Sequence, residues 1–244
     1  IDDWRERALQ AFGLPGDSDT VTYVLRGLAA EHYAPDAATD ALARFVLNQQ
    51  EPDGSWHIFA HRPPIESSDI EVTASSIAAL KAYAPAYDRR QADEAVRRAA
   101  AWLTAAAPTT TEDHAFKVLG LVWAGGDKAS IRQAVRALLA TAREDGGWSQ
   151  RSSLPSDAYA TGEALVAMAQ SGAVPASDPA FARGVQYLLK TQLADGSWLV
   201  RTRALPIQPY FEADFPHGRD QFISAAATNW ATQALIYAGA KKGT

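Results

Sequence analysis

The chain has 244 residues, of which 47% are hydrophobic and 21% charged, and its formal net charge is −5. This length and composition indicate a globular protein with a sizeable core, and an acidic chain without a lysine or arginine run argues against nucleic acid as a partner. The absence of cysteine excludes disulfides, thiolate metal ligands and covalent haem attachment.

The sequence predicts neither a signal peptide nor a membrane-spanning segment. The longest apolar run, 99–107, is too short to cross a bilayer, so we expect no transmembrane segment. The chain begins at Ile1 and not at a methionine. We interpret it as a processed or trimmed product, which leaves open a flanking domain as a partner.

Hydrophobic periodicity and helix breakers predict ten helices of two alternating kinds. The first kind is amphipathic, with arginines on its polar face, and is expected at residues 3–12, 37–50, 90–106, 128–143 and 178–192. The second kind is richer in alanine and small polar residues, and is expected at 19–31, 69–83, 113–124, 157–171 and 223–239. One polar stripe suits an outer layer that faces water, whereas a helix that is apolar nearly all round suits an inner layer. Five outer and inner pairs predict an all-α fold, an α/α toroid that forms a single domain over 1–244.

Each predicted inner helix starts with a residue that can cap it. The five residues are acidic or hydroxylic: Asp19, Asp69, Asp113, Asp157 and Ser224. Such side chains accept a backbone N–H that has no partner at a helix start, so we assign the aspartates to capping in preference to catalysis. The longest connections into inner helices, 57–67 and 199–220, leave the rim where these helices start. Long loops in a compact repeat fold usually carry function, so we expect the working end there.

A four-residue pattern, Asp-Gly-x-Trp, occurs at 53–56, 145–148 and 195–198. The third copy follows Arg-Gly-Val-Gln-Tyr-Leu-Leu-Lys-Thr-Gln-Leu-Ala. This pattern resembles the QW repeat of squalene-hopene and oxidosqualene cyclases and of prenyltransferase/squalene oxidase repeat proteins. The resemblance implies an α/α toroid in which the tryptophans lie in equivalent positions on one rim. It also implies that Gln49 and Gln192 serve the scaffold by closing helix ends.

A second segment, Asp69-Ile70-Glu71-Val72-Thr73-Ala74, resembles the Asp-x-Asp-Asp-Thr-Ala motif of class II terpene cyclases. The resemblance implies that Glu71 is the acid that protonates an alkene or epoxide, beside Asp69 as the first motif residue. Val72 departs from the third aspartate of the motif. A glutamate in the first turn of a helix also stabilises the helix dipole, so a purely structural role stays open.

Acid-initiated cyclisation also needs aromatic faces that stabilise a carbocation. We expect an apolar pocket at the working rim with Glu71 near its mouth. The residues expected to line it are aromatic: Tyr23, Phe59, Phe116, Trp123, Tyr159, Tyr210, Phe211, Phe215, Phe222 and Trp230. The loop 201–222 is expected either to cover this pocket as a lid or to pack its aromatic residues as local core.

The function predicted from these features is cyclisation of an isoprenoid by a general acid, without a metal or other cofactor. The alternative is a non-catalytic toroid that binds an isoprenoid, another lipid or a protein partner. The five histidines are dispersed, and they lack the spacing of a zinc site. The resemblance implies a bacterial protein of the periplasm or cytoplasm, with the periplasm favoured.

Overall fold

The computed structural model describes residues 2–10, 13–14, 16–64, 66–206 and 209–239, and all regular structure in these ranges is helical. The α-helices follow the predicted order: α1 Asp2–Leu9, α2 Asp17–Ala30, α3 Ala37–Asn48, α4 Asp69–Tyr83, α5 Arg89–Ala105, α6 Thr111–Trp123, α7 Lys128–Leu139, α8 Ala158–Ser171, α9 Pro179–Thr191 and α10 Gln221–Gly239. Two short 3-10 helices cover Ala86–Asp88 and Gly218–Asp220. The all-α prediction is confirmed. The last two residues of the helix predicted at 3–12 lie outside the described ranges, as do residues 207–208 of the loop 201–222.

The chain divides into two compact units, and the first comprises Ile1–His61, Ile65–Ala107 and Gly120–Asp127. In this unit α4 packs against α2, α3 and α5, and α1 packs against α3. Most of α4 is buried, including its polar side chains. Gly120 permits the close packing of this unit, because a Cβ atom there would lie 2.8 Å from the Cβ of Ala74. The inner character predicted for 69–83 therefore agrees with the burial of α4.

The second unit comprises Arg62–Pro64, Pro108–Leu119 and Lys128–Thr244. Its centre is α8, which packs against α7, α9 and α10. Every residue of α8 from Ala158 to Met168 is buried. At Gly162 a Cβ atom would lie 2.7 Å from the backbone nitrogen of Ala231, so α8 and α10 approach each other more closely there than a side chain would allow. Among the described residues, no helix has both the length and the apolar character needed to cross a membrane.

The capping prediction is confirmed for α8 and wrong in detail for α4. Asp157 caps α8, since its carboxylate accepts the backbone N–H of Ala160 at 2.8 Å. In α4 the capping residue is Ser68, whose hydroxyl accepts the backbone N–H of Glu71. Asp69 is instead the first residue inside α4 and is bonded to the preceding loop.

The other three predicted caps also differ from a simple N-cap. Gly16 precedes α2, and Asp19 is buried inside the first turn, where its carboxylate accepts the backbone N–H of Glu66. At the start of α6, Asp113 accepts the backbone N–H of Thr110 and donates its own to the Thr110 hydroxyl, so each residue satisfies the other. Ser224 lies inside α10, because the 3-10 turn Gly218–Asp220 and Gln221 extend the helical segment in the N-terminal direction.

The three Asp-Gly-x-Trp segments form the same local structure. In each, the indole N–H donates to a carbonyl oxygen in the last turn of the preceding helix: Val46 for Trp56, Leu138 for Trp148 and Leu188 for Trp198. The backbone N–H of each tryptophan donates to a threonine hydroxyl on the following helix: Thr73 at 2.9 Å, Thr161 at 2.9 Å and Thr228 at 3.2 Å. Each loop thus ties the end of one helix to the first turns of the next. That the three tryptophans share one rim stays a prediction.

A glutamine closes two of these loops, as the sequence pattern implied. Gln192 donates to the carbonyl oxygen of Gly196 at 2.9 Å. In the first copy the equivalent donor is Gln50, which bonds the carbonyl oxygens of Gly54 and Ala95. The assignment of this role to Gln49 was therefore displaced by one residue.

Candidate functional site

Glu71 lies in the first turn of α4, and its side chain is fully buried within the first unit. Its Oε1 atom accepts a hydrogen bond of 2.9 Å from the hydroxyl of Ser75, one turn further along the helix. The hydroxyl of Ser75 in turn accepts a hydrogen bond of 2.9 Å from the guanidinium of Arg26 on α2. A buried carboxyl group is therefore linked to a cation through one serine.

The Arg26 guanidinium is held between two aromatic rings. It lies 5.4 Å from the ring centroid of Tyr23 and 4.9 Å from that of Trp123. Both distances are within the range of favourable cation–π contacts. Two of the ten aromatic residues predicted for the pocket are thus brought together in the first unit, around the arginine that supports Ser75.

Asp69, the other predicted catalytic residue, faces the loop that precedes α4. Its Oδ1 atom accepts the backbone N–H of Ile58 at 3.0 Å, and its Oδ2 atom lies 2.6 Å from Nδ1 of His57. This hydrogen bond, opposed in part by burial, raises the pKa of His57 above its ordinary value. Asp69 therefore fixes the path of the loop after Trp56.

The remaining aromatic residues predicted for the pocket lie in different surroundings. In the first unit the Phe59 side chain is 79% exposed. In the second unit Phe116 is buried edge-on to Trp230, with ring centroids 6.0 Å apart, and Tyr159 is buried. Four rings of the loop and helix start in this unit are exposed: Tyr210, Phe211, Phe215 and Phe222. Of these, Phe211 and Phe222 contact each other, with ring centroids 5.3 Å apart.

A second group of buried carboxyls lies in the second unit. Glu112, in the first turn of α6, is 2% exposed, and Glu163, in the middle of α8, is fully buried. The Tyr159 hydroxyl donates to Glu112 Oε1 at 2.8 Å. Gln150 bridges the two acids, because its Oε1 atom accepts the backbone N–H of Glu112 and its Nε2 atom donates to Glu163 Oε2, each at 2.8 Å.

The environment of Glu163 favours its protonated form. Burial raises the pKa of the Glu163 carboxyl well above its ordinary value, and the nearby charge of Glu112 raises it further. Hydrogen bonds from Gln150 and Tyr159 oppose this rise. Two carboxyls buried close together cannot both be ionised without a large cost, so the pair is expected to hold a proton.

Sequence reasoning missed Glu112, Gln150 and Glu163. One signal was present, since Glu163 is the only charged residue between Ala158 and Ser171. A single charge in an otherwise apolar helix marks either its solvent face or a buried functional group, and only the structure decides between these. Among the described residues, no group of three or more acidic or histidine side chains could hold a metal ion.

No protein-family model matches the chain. Among curated proteins, it is 32% identical over 230 residues to a drimenyl diphosphate synthase from Streptomyces showdoensis. The match covers 86% of this chain and 41% of that enzyme.

The chain is a distant homologue of the drimenyl diphosphate synthases.

Two solved structures show that this homologue has the fold of class II terpene cyclase α/α domains. One is the type II terpene cyclase MstE from Scytonema in complex with its substrate geranylgeranyl dihydroxybenzoate, with a TM-score of 0.62, 18% identity, and coverage of 93% of this chain and 74% of MstE. The other is the ent-copalyl diphosphate synthase from Streptomyces platensis, with a TM-score of 0.59, 20% identity, and coverage of 93% of this chain and 42% of the synthase. At these identities the likeness concerns the fold. The chain spans about two fifths of the length of the curated relative that it matches.

Proposed function

We propose that this chain is a class II terpene cyclase-like α/α toroid, built as a single domain of five outer and inner helix pairs with QW repeats, that initiates cyclisation of an isoprenoid by protonating it. The observation that carries the proposal is Glu71, a fully buried carboxyl group at the start of α4. It stands in a segment that resembles the acidic motif of these cyclases, in a chain that is homologous to drimenyl diphosphate synthases.

In the proposed first step, the proton of the Glu71 carboxyl is transferred to one carbon of an alkene. The π electrons of the alkene form the new C–H bond, a carbocation forms at the neighbouring carbon, and the negative charge stays on Glu71. The Ser75 hydroxyl donates to Glu71 Oε1 and accepts from Arg26. Both hydrogen bonds stabilise the carboxylate that remains after the proton transfer.

Asp69 takes a positioning role in this proposal. Its bonds to Ile58 and His57 hold the loop that follows Trp56 against the start of α4. Val72 is fully buried and occupies the position of the third acidic residue of the motif. The acid is therefore supported by Ser75 and not by a second carboxylate at this position.

Aromatic residues of the first unit complete the proposed site. We propose that Tyr23 and Trp123, which both contact Arg26, form part of the wall of an apolar pocket in this unit, where their π faces stabilise the cation. A water-poor pocket would also prevent capture of the cation by solvent. The homology to drimenyl diphosphate synthases and the substrate bound to MstE support an isoprenoid as the proposed substrate class.

The test is turnover by the purified protein of linear prenyl diphosphates, such as farnesyl diphosphate, and of geranylgeranyl dihydroxybenzoate. Glu71→Gln keeps the shape of the side chain and removes the acid. We expect it to lower the rate of product formation by at least about 10²-fold while ligand binding, measured by calorimetry, persists. The matched control is Glu144→Gln, which changes an exposed carboxyl and should leave turnover unchanged. Retained turnover in Glu71→Gln would exclude Glu71 as the acid.

Two observations favour a second candidate function, a toroid that binds an isoprenoid or a protein partner without catalysis. Val72 replaces an acidic residue of the motif, and the Glu71 carboxyl is already engaged by Ser75. On this proposal the wild-type protein and Glu71→Gln bind linear isoprenoids with similar affinity, and neither forms product. Mass spectrometry of lipids extracted from the purified protein would identify the ligand class.

A further inference from the structure

The hydrogen bonds around Gln150 determine which oxygen of Glu163 can carry a proton. The Gln150 side-chain oxygen accepts the N–H of Glu112, so its amide nitrogen must point towards Glu163. Glu163 Oε2 therefore accepts a hydrogen bond. A proton on Glu163 is then placed on Oε1, which is buried and has no hydrogen-bond partner among the described protein atoms.

The positions of the two acids in their helices make the pair unequal. Glu112 is in the first turn of α6, where the helix dipole favours a negative charge, and the Tyr159 hydroxyl donates to it. Glu163 is in the middle of α8, far from the stabilising partial charges of a helix end. The negative charge of the pair therefore resides on Glu112 and the proton on Glu163.

In the described part of the chain, the helices that pack against α8 carry no buried basic residue. α10 carries no acidic or basic residue between Gln221 and Gly239. The charged side chains of α7 and α9 are exposed: Lys128, Arg132, Arg136, Arg183 and Lys190. Among the nearer groups, Asp157 adds negative charge, and Arg203 is paired with Asp157 at 2.8 Å and lies over the Tyr159 ring.

We propose that Glu112, Tyr159 and Glu163 form a second polar site, in which the buried Oε1–H of Glu163 donates a hydrogen bond to a neutral oxygen acceptor. The proton stays on Glu163, because its loss would leave two buried carboxylates close together. Gln150 holds this carboxyl in place by donating to its Oε2 atom. Glu71 belongs to the first unit, whereas the residues of this second site belong to the second unit. The proposal therefore does not depend on isoprenoid cyclisation.

Infrared spectroscopy tests the proposal without substrate, through the C=O stretching band of a protonated carboxylic acid. At neutral pH we expect this band in the wild-type protein, its loss in Glu163→Gln and its retention in Glu144→Gln. Because Gln has the shape of the protonated acid, Glu163→Gln should keep the fold, which circular dichroism checks. In Glu112→Gln the repelling charge is removed, so the band should disappear at lower pH than in the wild-type protein.

Exchange into D₂O tests whether the proton on Glu163 is accessible to an acceptor. We expect the band to shift on transfer to D₂O while the protein stays folded, because a proton that is presented to an acceptor exchanges. The proposal is overturned by a band that Glu163→Gln leaves unchanged. It is equally overturned by a band that does not shift in D₂O, or by a titration that Glu112→Gln does not move.

Discussion

In each repeat, a threonine hydroxyl accepts a hydrogen bond from the backbone N–H of the tryptophan. The contribution of this hydrogen bond to stability can be tested by removing only the hydroxyl. Thr161 is fully buried, and its Oγ1 atom accepts the N–H of Trp148 at 2.9 Å. Thr161→Val keeps the size and branching of the side chain but leaves a buried N–H without its acceptor. Such a loss costs about 1–3 kcal/mol. For a protein of this size we therefore expect a decrease in Tm of about 2–12 °C.

The assay is thermal and urea unfolding followed by circular dichroism on a series of threonine variants. Thr73→Val should be as destabilising as Thr161→Val, because its hydroxyl is equally buried and accepts the N–H of Trp56 at the same distance. Thr228→Val should be milder, since this bond is 3.2 Å long and partly exposed. Thr104, whose hydroxyl is on the surface, is the matched control, and its change to valine should alter stability by less than about 0.5 kcal/mol. If Thr161→Val were no more destabilising than Thr104→Val, the reasoning about these loops would be wrong.

The first turn of α4 and its N-cap support three further predictions. Ser68→Ala should lower the free energy of unfolding by about 0.5–2 kcal/mol, the usual cost of losing an N-cap, as measured by urea unfolding. Asp69→Ala should instead release the loop at His57, so hydrogen exchange at Ile58 should accelerate, and an unchanged exchange rate would contradict this role. In Asp69→Asn, the pKa of His57 followed by NMR should fall, because the hydrogen bond that raises it is lost. The pKa of His57 is higher in the folded than in the unfolded protein. The His57–Asp69 pair therefore stabilises the fold fully below the unfolded-state pKa of His57, and this stabilisation is lost as the pH rises through the folded-state pKa of His57. His57 and Asp69 are 52% and 38% exposed, so this contribution should be small.

Much of the helical framework could be predicted because its signals are local. The helix predicted at 90–106 is Arg89–Ala105 in the structure. The tryptophan loops were predicted from spacing, because Asp-Gly followed by Trp encodes a turn whose glycine has a positive φ, 100° at Gly54 and 90° at Gly146. Both signals depend on neighbours in the sequence and little on the rest of the fold.

The cap of α4 could not be predicted by the same means. Ser68 and Asp69 are adjacent and both types cap helices well. The choice depends on Ile58 and His57, which offer donors to the Asp69 carboxylate from a loop eleven or more residues away. Tertiary partners of this kind are not encoded in the local pattern.

Glu163 was missed for a related reason. A glutamate in a helix ordinarily faces water, and its burial here accompanies the burial of α8 from Ala158 to Met168, against which α7, α9 and α10 pack. The hydrogen bond from Gln150 also depends on the loop after Trp148. Neither contact leaves a periodic signal in the sequence.

The indole hydrogen bond of each repeat has a consequence for how the chain tolerates insertions and deletions. In all three copies the indole N–H reaches a carbonyl oxygen ten residues earlier. Adding or removing one residue within that interval would separate donor from acceptor and rotate the ring out of its buried site. No such constraint holds for the segment after each tryptophan, which is free to differ in length as long as the threonine still receives the N–H. Length differences between relatives, and sites for grafting new loops, should therefore concentrate after the tryptophans and be absent before them.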